Sequence, residues 1–159
     1  MLGGPGFGPG SVASDAAGDV YFALENMVYR LDLSGTLTRV AGNGSQGFSG
    51  DNGPALSAHL WSPSGVALDA LGNLYIADTE NLRVRRVSAD GTITTVAGGG
   101  PYGDLGDNGP ATSAFILEPL GLAVDAAGGL RNLEGRRHIC IVTLLMQTRN
   151  FGRIPGYLV

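Results

Sequence analysis

The 159 residues include 27 glycines, 8 prolines and one cysteine, Cys140, and all ten basic residues are arginines. Residues 1–130 carry five arginines against thirteen acids, a net charge of −8, and the last 29 residues reverse the sign to +4. An acidic body argues against a nucleic-acid partner, because phosphate contacts need clustered cations. A lone cysteine excludes an internal disulfide framework. The longest apolar run, Ile139 to Met146, is broken by Thr143 and falls far short of the roughly 20 residues that span a bilayer. No membrane span is therefore expected, and the opening residues lack the basic start and apolar stretch of a signal peptide.

In chain order, residues 1–8 read as an irregular Gly/Pro lead-in, and a repeat begins at Pro9. Pro63-Ser-Gly-Val-Ala returns as Pro119-Leu-Gly-Leu-Ala, Val40-Ala-Gly-Asn-Gly as Val96-Ala-Gly-Gly-Gly, and Gly50-Asp-Asn-Gly-Pro-Ala as Gly106-Asp-Asn-Gly-Pro-Ala, each 56 residues on. A fixed period of this size marks a repeat architecture. The units are residues 9–62, 63–118 and 119–130, the third an opening only. Between the first two copies the offset is 54 up to Tyr21 and Tyr75 and 56 by Arg30 and Arg86. Two residues are thus missing from the first copy near Leu24. Length changes belong in turns, which places turns at 24–27 and 78–82.

The second copy predicts four strands, at 65–69, 73–78, 83–88 and 92–97. Asp69-Ala-Leu-Gly72 and Asp90-Gly91 supply hairpin turns between them. Leu74 and Ile76 point to one side, Tyr75 and Ala77 to the other, so both faces of this sheet are apolar. A small antiparallel sheet buried on both faces has a sheet stacked on each side, the setting of a propeller blade. The connections after each fourth strand are polar, with one helical turn expected near 54–58 and 110–114. After Leu130 the pattern stops, and residues 131–159 are expected to be an unrelated tail, frameshifted or disordered.

With these residues in hand, Pro63 to Val87 resembles an NHL repeat. The Gly-Asp-Asn-Gly-Pro-Ala connection resembles the longer NHL variant of bacterial multi-repeat proteins and teneurins. The resemblance covers residues 9–130. It implies an all-β, incomplete β-propeller: two four-stranded antiparallel blades, the first strand of a third, and a non-repeat tail. It implies a binding or scaffolding role for a fragment of a longer protein, and suggests an extracellular or cell-envelope setting.

Candidate chemistry is sparse. Asp51-Asn52 and Asp107-Asn108 offer oxygen ligands for calcium, with Asp104 adding one in the second loop. Against this, Asp and Asn bond their own backbone in turns, and no metal or other cofactor is expected. Asp15, Asp69 and Asp125 recur after each first strand, where a hairpin-opening role accounts for them. His59, near Asp51 and Ser62, lacks the surroundings of an acyl-transfer triad. Trp61 is expected to pack between blades, and Arg83, Arg85 and Arg86 to form a solvated strand face or ion pairs. The reading is a non-catalytic module for a protein or carbohydrate ligand; its alternative is the remnant of a gluconolactonase- or lyase-type propeller enzyme. Because stacked repeats bury their faces on neighbours, uncovered blade faces are expected to drive self-association.

Overall fold

The computed structural model describes residues 11–103, 109–124 and 130–134, the last of these as backbone. The lead-in at 1–8, the tail from 135, and the candidates Asp104, Asp107 and Asp125 lie outside the described residues.

Three antiparallel sheets follow one another along the chain. The first orders its strands as β1 (Ala13–Ser14), β2 (Val20–Leu24), β3 (Met27–Leu31) and β4 (Leu37–Ala41). The second contains β6 (Pro63–Leu68), β7 (Leu74–Asp78), β8 (Arg83–Val87) and β9 (Thr92–Gly98). A two-residue strand from the preceding connection, β5 (Gly53–Pro54), joins the outer edge of β9 and makes this sheet five-stranded. The third pairs β10 (Pro119–Val124) with β11 (Leu130–Glu134). Single 3-10 turns stand at Ala55–Ser57, Ala111–Ser113 and Thr79–Asn81; the first two are the helical turns expected from sequence. These consecutive, stacked, unclosed sheets are an incomplete β-propeller.

The hairpins form for the reasons the sequence supplies. Gly72 N–H donates to the Asp69 carbonyl at 3.0 Å, with Gly72 at φ +81°, where a side chain would be strained. The first copy turns β2 into β3 through Glu25 and Asn26 alone, whereas the second uses Thr79–Asn81 and a left-handed Leu82. The two-residue length difference therefore falls at the tip of this hairpin.

One expectation needs correction. The sequence places only the first strand in the third unit, yet Leu130–Glu134 pairs with β10. Pro119↔Glu134, Leu122↔Asn132 and Val124↔Leu130 repeat the register Pro63↔Asp78, Val66↔Ile76 and Leu68↔Leu74, including the irregularity after the proline. The repeat's side chains have gone by residue 131, but antiparallel pairing uses main-chain donors and acceptors that any extended segment provides.

Two cores bind the sheets. Ala23, Val28 and Ala41 of the first sheet meet Val66, Leu74, Ile76, Val87 and Ile93 of the second, sealed by Ala55, Ala58 and Leu60 from the connection. On the other side, Tyr75, Val84 and Ala97 pack with Ile116, Leu122 and Val124. Side chains alternate along β7, so one strand serves both cores. Small residues on one sheet and branched ones on the next bring the sheets into contact, and removing a branched side chain such as Ile76 would cost about 2–5 kcal/mol.

Candidate functional site: the junction between the first two blades

The connection from β4 to β6 crosses from the outer edge of the first blade to the inner strand of the second. Along the way it is fastened to the second blade by charge. Arg85, on β8, is fully buried. Its Nη2 donates to Asp51 Oδ1 at 2.8 Å and to the Ser49 carbonyl at 3.0 Å, and its Nη1 donates to Asp78 Oδ2 at 3.4 Å. The Phe48 ring lies under both Arg83 and Arg85, with guanidinium carbons 3.9 and 4.8 Å from its centroid. Planar guanidinium suits this combination of stacking and forked hydrogen bonding.

Asp78, at the end of β7, is the second buried charge. It accepts from Trp61 N–H at 2.8 Å through Oδ1 and from Asn81 Nδ2 at 2.8 Å through Oδ2. Burial pushes its carboxyl above the usual carboxylate range, against the pull of Trp61, Asn81 and Arg85. Asn81 also donates to the Gly47 carbonyl at 2.7 Å, fixing the loop from the other side.

The structure places the other sequence candidates in turns and connections. Asp15 Oδ1 accepts from the N–H groups of Ala17 and Asp19, and Asp69 Oδ1 from those of Leu71 and Asn73. Tyr21 donates to Asp15 Oδ2 and Tyr75 to Asp69 Oδ2, each at 3.2 Å. Burial works to raise Asp69, but the hydrogen bonds of Asn73, Leu71 and Tyr75 outweigh it and hold its carboxyl low. Burial and Asp69 together push the Tyr75 phenol up.

His59, Asp51 and Ser62 go to separate partners. His59 N–H donates to Ser49 Oγ, Asp51 accepts from Arg85, and Ser62 N–H donates to Asn26 Oδ1. Trp61 is 39% exposed and contributes through its backbone, while the packing expected of it falls to the adjacent, fully buried Leu60. Of the two settings expected for Arg85, a solvated strand face or ion pairs, the structure shows ion pairs, with Asp51 and Asp78, and places them in the interior. Among the described residues no group of three or more His, Cys, Asp or Glu side chains is arranged to hold a metal ion.

Beside this junction the two blades leave a cleft of about 400 Å³, within the size range of ligand sites. Tyr21 and Val40 of the first blade, Leu74 and Val87 of the second and Leu56 of the connection line it, with the Ser88–Gly91 hairpin at one end. Leu56 is half-exposed at this cleft.

Residues 60–87 match the family described as NHL repeat. Teneurin-1 of Mus musculus is 36% identical over 83 residues, covering 48% of this chain and 3% of that protein. Teneurin-3 of Danio rerio is 31% identical over 141 residues, 80% of this chain and 5% of that protein. The chain thus spans a few per cent of these relatives' length. Among solved structures, a structural genomics protein of unknown function from Bacteroides thetaiotaomicron superposes with a TM-score of 0.69 at 24% identity, covering 90% of this chain and 36% of that one. An auxiliary nutrient binding protein from Bacteroides ovatus gives 0.57 at 21% identity, covering 76% and 33%. A catalytically inactive virginiamycin B lyase from Staphylococcus aureus, with quinupristin, gives 0.52 at 16% identity, covering 84% and 36%. At these identities the structural likenesses speak to fold.

Proposed function

We propose that this NHL-repeat propeller chain is a non-catalytic binding or scaffolding module, part of a larger assembly, that receives an apolar portion of a protein or carbohydrate ligand in the cleft between its first two blades. The observation that carries the reading is how its polar side chains are used. Arg85, Asp78, Asp51 and Asn81 are spent on joining blades, and Asp15 and Asp69 on turning hairpins, while the cleft beside them is open and lined mainly by apolar side chains. Acid–base catalysis needs titratable groups aimed at a shared reacting atom. The charged groups of the junction are aimed at one another and at backbone. Of the two that line the cleft, Asp90 accepts from Ser88 Oγ and Thr92 N–H, which leaves Arg39 as a single exposed cation at its edge.

The alternative, a remnant of a lactonase- or lyase-type enzyme, requires acids and histidines converging from several inner strands. The described inner strands instead carry Ala13, Val66, Ala67, Leu122 and Ala123. The fold neighbour described as an auxiliary nutrient binding protein is in keeping with a binding role, through fold alone.

Peptide and glycan arrays probed with the wild-type chain and with Leu56→Arg test this. Leu56 is exposed, so the variant leaves both cores intact. Signals lost in the variant support the cleft. Signals indifferent to it, or a stoichiometric divalent cation together with lactone hydrolysis by the purified chain, overturn the reading.

A further inference from the structure

Each blade presents two different faces, and the internal repeat shows what each face accepts. In the second blade, Val66, Ile76, Val87 and Ile93 form the face turned to the first blade, and all are buried. Shifting by 54 and then 56 residues gives Val12, Phe22, Leu31 and Leu37 as the same face of the first blade. There Val12 is 61% exposed and Leu37 54%, where their counterparts Val66 and Ile93 are 2% and 0% exposed. Phe22 and Tyr29 stack on this open face with centroids 6.0 Å apart.

The opposite face is built for close approach. Its inner strand reads Ser11-x-Ala13 in the first unit, Gly65-x-Ala67 in the second and Gly121-x-Ala123 in the third. Ser11 Oγ accepts from Val66 N–H at 3.3 Å, and Ala13 packs into the core shared with the second blade. A Cβ on Gly65 would collide with the Leu120 carbonyl. The small residues of each unit thus seat it on the branched face of the next. Ala67 is accordingly buried, whereas Ala123 is exposed.

Among the described residues, nothing covers the branched face of the first blade or the small-residue face of the third unit. These are the two halves of the contact that it already makes internally. We propose that a second copy of this chain docks head to tail, its Gly121-x-Ala123 face on the Val12, Leu31 and Leu37 face of the first copy. The contact continues the blade stacking already present, and it is heterologous, because the two surfaces differ. The first blade has Leu24 and Tyr29 where the second has Asp78 and Arg85. Its open face thus lacks the buried ion pair that receives an Asp-bearing loop, and takes the small-residue strand β10 without one.

Sedimentation of wild type, Leu37→Glu and Ala123→Arg from low to high micromolar concentration tests the proposal. Both substitutions are at exposed positions, and Leu31→Gln serves in place of Leu37→Glu if that variant fails to fold. Wild type is expected to gain mass with concentration and each variant alone to remain monomeric. An equimolar mixture of the two variants should form a heterodimer and stop there, since one supplies the intact small-residue face and the other the intact branched face. A wild type monomeric throughout, association of Ala123→Arg alone, or failure of the mixture to pair would overturn head-to-tail docking.

Discussion

Arg85 donates to Asp51 at 2.8 Å across the boundary between two repeats, 34 residues apart in sequence, with its own side chain fully buried and that of Asp51 about one-third exposed. The loop that leaves one blade is thereby held by the charge of the next. A buried guanidinium without its carboxylates is costly, and so is a buried carboxylate without its guanidinium.

The first prediction concerns that dependence. Arg85→Met keeps most of the side-chain volume but leaves Asp78 buried beside Trp61 and Asn81 without a cation. A loss of about 3–5 kcal/mol is expected, as for other buried pairs broken on one side. Adding Asp78→Asn to Arg85→Met should recover part of it. Urea denaturation of the two single variants and the double variant reads the coupling, and strictly additive losses would contradict it.

Asp51 should behave as a fastening and not as a metal ligand. Its carboxylate is partly exposed and already accepts from Arg85, so Asp51→Asn is expected to cost on the order of 1 kcal/mol, discounted for solvent screening. The loss should be the same with calcium and with chelator. A melting temperature that rises with calcium in wild type and not in Asp51→Asn would restore the calcium reading.

Asp69 gives a dependence on pH with a definite sign. Its carboxyl is held below its ordinary value in the folded chain, so the unfolded chain binds the proton more readily. The resulting stabilisation is present above the ordinary carboxylate pKa and is lost as pH falls through the lower, folded value. Asp69→Asn should therefore be less stable than wild type at neutral pH, and the gap should close in strong acid. Asp78 has the opposite sign: raised by burial, it favours folding at low pH and loses that contribution as pH rises through its folded value. A gap between wild type and Asp69→Asn that stays constant from neutral to acid pH would show that the charge of Asp69 contributes nothing.

Much of the fold is legible in the sequence because the repeat compares the chain with itself. The 56-residue period, the Asp-to-Gly hairpins and the two-residue deletion at Leu24 each map onto the structure at the expected place. The Arg85–Asp78–Asp51 junction is not legible by the same route, because its three members come from two repeats and meet only when blades stack. Their counterparts one period earlier in the first blade, Tyr29 and Leu24, carry no charge, so self-comparison does not flag them. The strand Leu130–Glu134 escapes for a different reason. Its residues no longer follow the repeat, and its pairing with β10 is made by backbone.

The last prediction tests how the third unit is held. Ser64 Oγ lies 2.9 Å from the Leu120 carbonyl, and Thr79 Oγ1 donates to the Pro119 carbonyl at 2.7 Å. Both bonds require β10 to lie close against β6. Gly65 permits this, since a methyl there would collide with the Leu120 carbonyl and crowd Ser11 Oγ. Its backbone is not in the left-handed region, so Gly65→Ala acts through that collision and not through strain at residue 65 itself. Overpacking of this kind costs about 1–3 kcal/mol. The cost should fall mainly on the boundary with the third unit, where the collision is with backbone, and only slightly on Ser11, whose side chain can give. Hydrogen exchange in Pro119–Val124 should accelerate, while Ile76 and Val28, in the core between the first two blades, keep their protection. Gly72→Ala is the control. That residue has φ +81° and open space around it, so the substitution should cost about 1 kcal/mol of backbone strain and leave β10 unchanged. If Gly65→Ala leaves exchange at Pro119–Val124 as slow as in wild type, the third unit is not seated through Gly65.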